Sequence, residues 1–337
     1  ERKSYLQKST IESIYFGGGT PSVLAENEIS SFLETITKHF TVAEHVEITL
    51  EANPDDLTTS KLKQLFAIGI NRLSIGIQSF FDEDLIYMNR SHNANQALQC
   101  IPEAQAIGIA NISADLIFGY PLLSDEKWDR NMQEAIRLQI PHLSCYAMTI
   151  EPKTALAKRI AMKKEKPLAN EQLANQFRMV METLEANQYE HYEISNYALV
   201  NQRSKHNSNY WKGISYLGIG PSAHSFDGKS RQWNIANNAK YITGMHAQTR
   251  VFEKEVLTPS QVINETIMLS LRTKEGLNKK ALFSTLSAAQ QNAFQQTMQQ
   301  FLAEKRIQQI DDRIYLTKEG KLFADYIAGS LFVEENE

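Results

Sequence analysis

Ile14-Tyr15-Phe16-Gly17-Gly18-Gly19-Thr20-Pro21 is a short apolar strand that runs straight into three glycines and then Thr-Pro. Glycine lacks a Cβ, so the backbone there turns sharply and approaches a ligand closely. Pro21 fixes φ and ends the extended run. A strand, a glycine turn and then a helix is how α/β proteins build sites at the carboxyl ends of strands. Working outward, the same order repeats. Strands are expected at Ser13–Phe16, Val46–Glu51, Arg72–Gln78, Asn111–Phe118, His142–Thr149 and His191–Ser195. Between them fall helical patterns near Glu26–Phe40, Ser60–Ile68, Asp82–Met88, Ala94–Ile107, Asp125–Leu138 and Glu171–Ala186. Apolar strands separated by helices predict parallel βαβ units, closed into a barrel or part of one.

The bulk numbers bound this reading. A chain of 337 residues, 42% hydrophobic, holds one large α/β domain and a smaller one. A net charge of −4 argues against a general nucleic-acid binder. There is no apolar run of about 18 residues and no secretory pattern, so a cytoplasmic protein with at most peripheral membrane contact is expected. Only Cys100 and Cys145 are present, in unlike contexts, which implies no disulfide framework. Asn196–Tyr216 is polar, bears aromatics and lacks periodicity, so it is expected to be a long loop, of the kind that is often functional. Beyond about residue 250 the pattern turns helical, with a small hairpin near Ile307–Thr317, as in a winged helix. Its glutamines (Gln291, Gln295, Gln296, Gln299, Gln300) form no basic stripe, so nucleic acid is not expected as its partner.

Polar residues mark the strand ends. Glu51 closes the second strand, Gln78 closes the third, Asp115 lies inside the apolar run Ile112–Phe118, and Arg90 follows a helix and offers a countercharge. Singly, each reads as a cap or a structural ion pair. Together with Gly17–Thr20 on one rim they are better explained by a small polar ligand, such as an amino acid carrying a sugar.

Gly17-Gly18-Gly19-Thr20-Pro21-Ser22, Glu51-Ala52-Asn53-Pro54, Ser74-Ile75-Gly76-Ile77-Gln78-Ser79-Phe80, Asn89-Arg90 and Ala114-Asp115-Leu116-Ile117-Phe118-Gly119 resemble the radical S-adenosylmethionine (radical SAM) family. More narrowly, the chain is similar to the oxygen-independent coproporphyrinogen III oxidase group. His206-Asn207-Ser208-Asn209-Tyr210-Trp211 and Tyr216-Leu217-Gly218-Ile219-Gly220-Pro221-Ser222-Ala223-His224-Ser225 resemble its HemW haem-chaperone branch. The resemblance implies a partial (β/α)6 barrel over residues 1–250, with the haem-motif loop at 196–216, and a helical, winged-helix-like domain over 251–337. It implies S-adenosylmethionine on Gly18, Gly19, Thr20, Glu51, Gln78, Arg90 and Asp115. It also implies haem on His206, Tyr210 and Trp211, with His206 on the haem iron and His224 and His191 as rival ligands.

The family holds a [4Fe–4S] cluster through a CxxxCxxC loop ahead of the glycines. No such motif occurs here, and Cys100 and Cys145 read as buried small hydrophobes. Because the sequence opens mid-element at Glu1-Arg2-Lys3, the first strand and its cysteines are expected upstream in the parent gene, and no catalytic residue is placed in this chain. The leading expectation is a haem chaperone that passes haem to acceptor proteins, with room for a homodimer. The alternatives are the decarboxylating oxidase and a non-catalytic binding module.

Overall fold

The computed structural model describes residues 2–334 apart from 7, 8, 151, 153, 154, 164, 167 and 250, together with all their side chains except that of residue 155. Residue 1, from which the missing upstream strand is argued, lies outside the described residues. The chain divides into two compact units. One comprises Glu12–Ile36 and Glu44–Lys205; the other runs from His206 onward and includes the short segments before Glu12 and before Glu44.

The first unit is built on a seven-stranded sheet: β1 (Ile11–Phe16), β2 (Val42–Ala52), β3 (Arg72–Gln78), β4 (Asn111–Phe118), β5 (His142–Ala147), β6 (Glu190–Glu193) and β7 (Asn196–Ala198). Their order across the sheet is β1-β2-β3-β4-β5-β7-β6. Strands β2 to β5 pair in parallel, each reached through helices, as the alternating pattern predicts. The strand expected at His191–Ser195 is not a further parallel one. It forms an antiparallel hairpin, with β7 pairing against β5 and β6 on the edge. Strand β7 is three residues long and gives no periodic signal. The result is a partial barrel, a curled half-barrel sheet.

Side-chain alternation splits this sheet into two faces. Leu50, Ala52, Leu73, Ile75, Ile77, Ile112, Ala114, Leu116, Phe118, Leu143 and Cys145 occupy one parity and are all buried. The other parity is polar: Tyr15, Glu47, Thr49, Glu51, Arg72, Ser74, Gln78, Ser113, Asp115, His142 and Ser144. Helices cover the apolar face. Trp128, from helix Asp125–Arg137, is fully buried, stacks on Phe118 at 5.4 Å between centroids and donates its indole N–H to the Gln176 carbonyl at 2.9 Å.

The second unit carries a three-stranded antiparallel sheet, β8 (His224–Phe226), β9 (Ser230–Asn234) and β10 (Phe252–Val256). It then continues as helices Pro259–Leu271, Lys279–Phe283 and Ala288–Ala303 with a second small antiparallel sheet. In that sheet β13 (Arg313–Leu316) lies between β11 (Leu277–Asn278) and β12 (Ile307–Ile310). Ser287 and Gln290 form a reciprocal capping box at the start of Ala288–Ala303. The segment expected to be a loop from Asn196 to Tyr216 holds β7 and a helix, Lys205–Trp211. His, Asn and Ser are weak helix formers, which hides this helix from a propensity reading.

Candidate functional site

The carboxyl ends of β1 to β5 open onto the polar face, and the loops there are shaped by close approach. Glu51 lies at the centre. Tyr15 donates its hydroxyl to Glu51 Oε1 at 2.7 Å, and the Gly18 backbone N–H donates to Oε2 at 3.1 Å. The glycine loop therefore closes on Glu51. A Cβ on Gly17 would fall 2.5 Å from the Tyr15 ring and 2.7 Å from Glu51 Oε1, so glycine is required there by contact. Gly18 and Gly19 have φ of +81° and +148° and face open space, which leaves their backbone accessible. Thr20 precedes the short turn Pro21–Val23 without capping it.

Gly76 makes a second cradle. A Cβ there would sit 2.9 Å from Gln78 Nε2 and 3.1 Å from an Arg90 terminal nitrogen, so these two side chains cross the strand only because residue 76 has none. Arg90 donates to Asn53 Oδ1 at 2.6 Å and to the Gly76 carbonyl at 3.4 Å. Its Nε is buried with no partner, an unmet donor beside the opening. Gln78 has φ +65°, and the Ser79 N–H donates back to the Ile77 carbonyl at 2.8 Å. This three-residue turn is strained for a non-glycine residue and follows the irregularity in β3–β4 pairing between Ile75 and Gln78.

Asp115 is half-buried at the carboxyl end of β4. Burial pushes its carboxyl up to about 7 against the pull of the Ser144 hydroxyl; the Glu51 carboxylate adds to the rise, and Arg90 and Arg72 oppose it. Arg72 itself is buried beneath, bonded to Asn111. Glu51, Gln78, Arg90 and Asp115 thus share one opening at the strand ends, alongside Gly18 and Gly19.

The polar floor reaches further than the sequence pattern indicates. Ser113 Oγ lies 2.7 Å from His142 Nδ1, His142 Nε2 lies 2.7 Å from the Tyr192 hydroxyl, and Ser144 Oγ donates to Asn196 Oδ1 at 2.9 Å. Burial and Arg72 hold the His142 imidazole well below its usual range. The local signal that remains is the alternation of polar residues over the first part of β4 and β5: Asn111, Ser113 and Asp115, then His142 and Ser144.

The cluster ligands are a different matter. Cys100 and Cys145 are both buried, and burial pushes the Cys100 thiol up to about 12. No group of three or more His, Cys, Asp or Glu among the described residues is placed to hold a metal ion. The two cysteines do not fit a [4Fe–4S] cluster.

In the second unit, helix Lys205–Trp211 places His206 and Tyr210 one turn apart, with rings edge to face at 5.0 Å. Tyr210 in turn meets Tyr216 at 4.6 Å. The Arg272 guanidinium lies 5.6 Å from the Trp211 ring centre. Of the rivals, His191 stacks on Tyr197 at 4.2 Å and bonds the Ile194 carbonyl at 3.0 Å, which employs it structurally in the hairpin. His224 is exposed and stacks on Trp233 at 6.0 Å.

Comparison with known proteins agrees with this architecture. Residues 2–135 match the radical SAM superfamily and residues 257–323 match the HemN C-terminal domain. The heme chaperone HemW of Bacillus subtilis is 31% identical over 96% of this chain and 86% of its own length. That of Mycobacterium tuberculosis is 30% identical over 97% of this chain and 82% of its own. The coproporphyrinogen III oxidase HemN of Escherichia coli, a radical SAM enzyme, shares the fold with a TM-score of 0.81 at 21% identity, over 96% of this chain and 78% of its own. The chain belongs to the radical SAM superfamily. Within it, the chain falls in the HemN-like group, on the HemW branch.

Two outcomes follow for the opening. Gln78→Gly relieves the left-handed strain, worth about 1–3 kcal/mol, against a glycine entropy cost of about 0.5–1 kcal/mol. It should raise the denaturant midpoint with an unchanged slope; a lowered midpoint would show that the Gln78 side chain supports the fold. For Asp115 the sign is set by its raised folded value. The folded state binds this proton more tightly than the unfolded chain, so the contribution is complete below the unfolded value near 3.8 and is lost as pH rises through about 7. The stability of wild type relative to Asp115→Asn should therefore fall between pH 4 and 7. A difference that is flat with pH would contradict the placement of Asp115.

Proposed function

We propose that this chain is a cytoplasmic haem chaperone of the HemW type that binds S-adenosylmethionine and haem. The observation that carries the first half is the cradle at Gly76, across which the Gln78 amide and a terminal nitrogen of Arg90 meet, beside Glu51 and Asp115 at the strand ends. These groups suit a ligand that is at once an amino acid and a nucleoside. Carboxylates accept from ribose hydroxyls and an ammonium group, the guanidinium takes a carboxylate, and the open backbone of Gly18, Gly19 and Thr20 lies beside the amino-acid end. When bound, S-adenosylmethionine supplies a sulfonium whose reductive cleavage yields a radical. The residues of this chain bind and orient it.

The haem half rests on the helix Lys205–Trp211. His206 is the axial ligand proposed for the iron, Tyr210 and Trp211 supply aromatic surface for the porphyrin, and acceptor proteins would take the haem from here. The close similarity to heme chaperones over nearly the full length supports haem transfer. No helix among the described residues is long and apolar enough to cross a membrane.

Haem titrated into wild type, His206→Ala and Trp211→Ala separates ligation from packing. His206→Ala should change the Soret and α/β bands and weaken binding. Trp211→Ala should weaken binding while leaving the band positions of the ligated iron unchanged. If His206→Ala matches wild type in both spectrum and affinity, this helix is not the haem site.

A further inference from the structure

His92 is buried two residues beyond Arg90, and its ring makes one hydrogen bond among the described residues: Nε2 lies 3.1 Å from the Ile77 carbonyl. A carbonyl only accepts, so the proton is on Nε2 and the ring donates. Nδ1 is left buried with no partner. Burial lowers the imidazole pKa against the pull of the Ile77 carbonyl; Arg90 adds to the fall and Asp55 opposes it. The ring is therefore neutral at neutral pH, with Nδ1 a bare acceptor. Packing alone would be served better by leucine, which buries no unmet nitrogen. What His92 supplies that an apolar side chain does not is the N–H to Ile77.

That bond falls on the peptide that decides the conformation of Gln78. The Ile77 carbonyl also accepts the Ser79 N–H at 2.8 Å, which closes the three-residue turn with Gln78 at φ +65°. The φ angle of Gln78 turns the Ile77–Gln78 peptide plane against the Gln78 Cα. A flip of this plane carries Gln78 from the left-handed region back to the extended one and releases the strain. It also turns the Ile77 carbonyl away from both of its donors. The chain just beyond is held as firmly. The Ser79 hydroxyl donates to Asp84 Oδ2 at 2.9 Å, and Asn131 Oδ1 accepts the Phe80 N–H at 2.8 Å, with Ser79, Asp84 and Asn131 all fully buried. Gln78 is thus a strained link between two fixed ends.

We propose that His92 is a positioning residue of the opening: its Nε2–H locks the Ile77–Gln78 peptide, which keeps Gln78 in the left-handed turn and its amide against Arg90 across Gly76. A Cβ at residue 76 would lie 2.9 Å from Gln78 Nε2 and 3.1 Å from Arg90 Nη2, so the two side chains meet in a space that a relaxed Gln78 would leave. The same bond ties the residue beside Gln78 to the segment that carries Arg90, whose own N–H is fixed on the Leu85 carbonyl at 2.9 Å. A ligand that uses Gln78 and Arg90 together meets groups already placed and does not have to supply the strain. The inference rests on the ligand assignment proposed above only for what these two groups meet. The lock belongs to the unliganded chain, and its test needs no ligand.

The test is amide hydrogen exchange at Ser79 in the unliganded protein, read by NMR, with crystal structures of the same variants for φ at Gln78. His92→Leu keeps apolar bulk and removes the donor. Ser79 exchange should rise about tenfold, the worth of one hydrogen bond, while the amides of Ile112 and Ala114 on β4 keep their protection. Gln78 should leave the left-handed region in the same variant. Adding Gln78→Gly to His92→Leu should restore the Ser79 protection, because glycine holds a positive φ without strain. His92→Gln returns a side-chain N–H and should stay closer to wild type than His92→Leu. A folded His92→Leu protein that keeps both the Ser79 protection and the positive φ overturns the proposal. So does a rise spread evenly over β3 and β4, or one that Gln78→Gly does not reverse. If His92→Leu does not fold, ¹⁵N NMR of the wild-type imidazole decides: a proton on Nε2 is expected, and a proton on Nδ1 with Nε2 bare overturns the lock. Failure of S-adenosylmethionine to bind would leave these results unchanged and would count only against the ligand assignment.

Discussion

The concave face of a parallel sheet is polar here, and a buried polar group without a partner is costly. That constraint accounts for most of the first unit. Arg72 lies fully buried on this face and is bonded to Asn111. Glu47 accepts the backbone N–H of Lys205 at 3.0 Å, and His142 is held between Ser113 and Tyr192. At the carboxyl ends the pairing becomes incomplete: Arg90 Nε has no partner, and Asp115 is pressed toward its acid form. Deeper on the same face, the Thr49 hydroxyl is also buried without a partner.

Glycine is the means by which this face is kept open. Tyr15 and Glu51 crowd the position that a Cβ on Gly17 would take, and Gln78 and Arg90 crowd that of Gly76. In both places a strand or its exit loop passes directly over polar side chains. Substitution there would displace the side chains rather than merely stiffen the chain. The left-handed Gln78 belongs to the same design, since its turn aims the residue across the opening at a cost in backbone strain.

Part of this was legible in the sequence. Glu51, Gln78 and Asp115 stand out because each interrupts or ends an apolar strand, and strand ends converge on one mouth in this class of fold. The Tyr15–Glu51 bond and the row from Asp115 through Ser144 and Asn196 to Glu193 were not legible. Their partners lie on different strands, and register across a sheet leaves no trace in local spacing. The hairpin of β6 and β7 was read as a single strand because β7 has only three residues. His206, Tyr210 and Trp211 share a helix that is not legible in the sequence, because its residues have little intrinsic helical preference.

The central claim is that the polar opening at the strand ends is the S-adenosylmethionine site. The most direct measurement is a crystal structure of the protein soaked with S-adenosylmethionine. The account predicts ribose and amino-acid density within hydrogen-bond distance of Glu51, Gln78, Arg90 and Asp115, with the Gly18–Gly19 backbone beside the amino-acid end. Density elsewhere, with these four side chains still bonded only to protein, would contradict it.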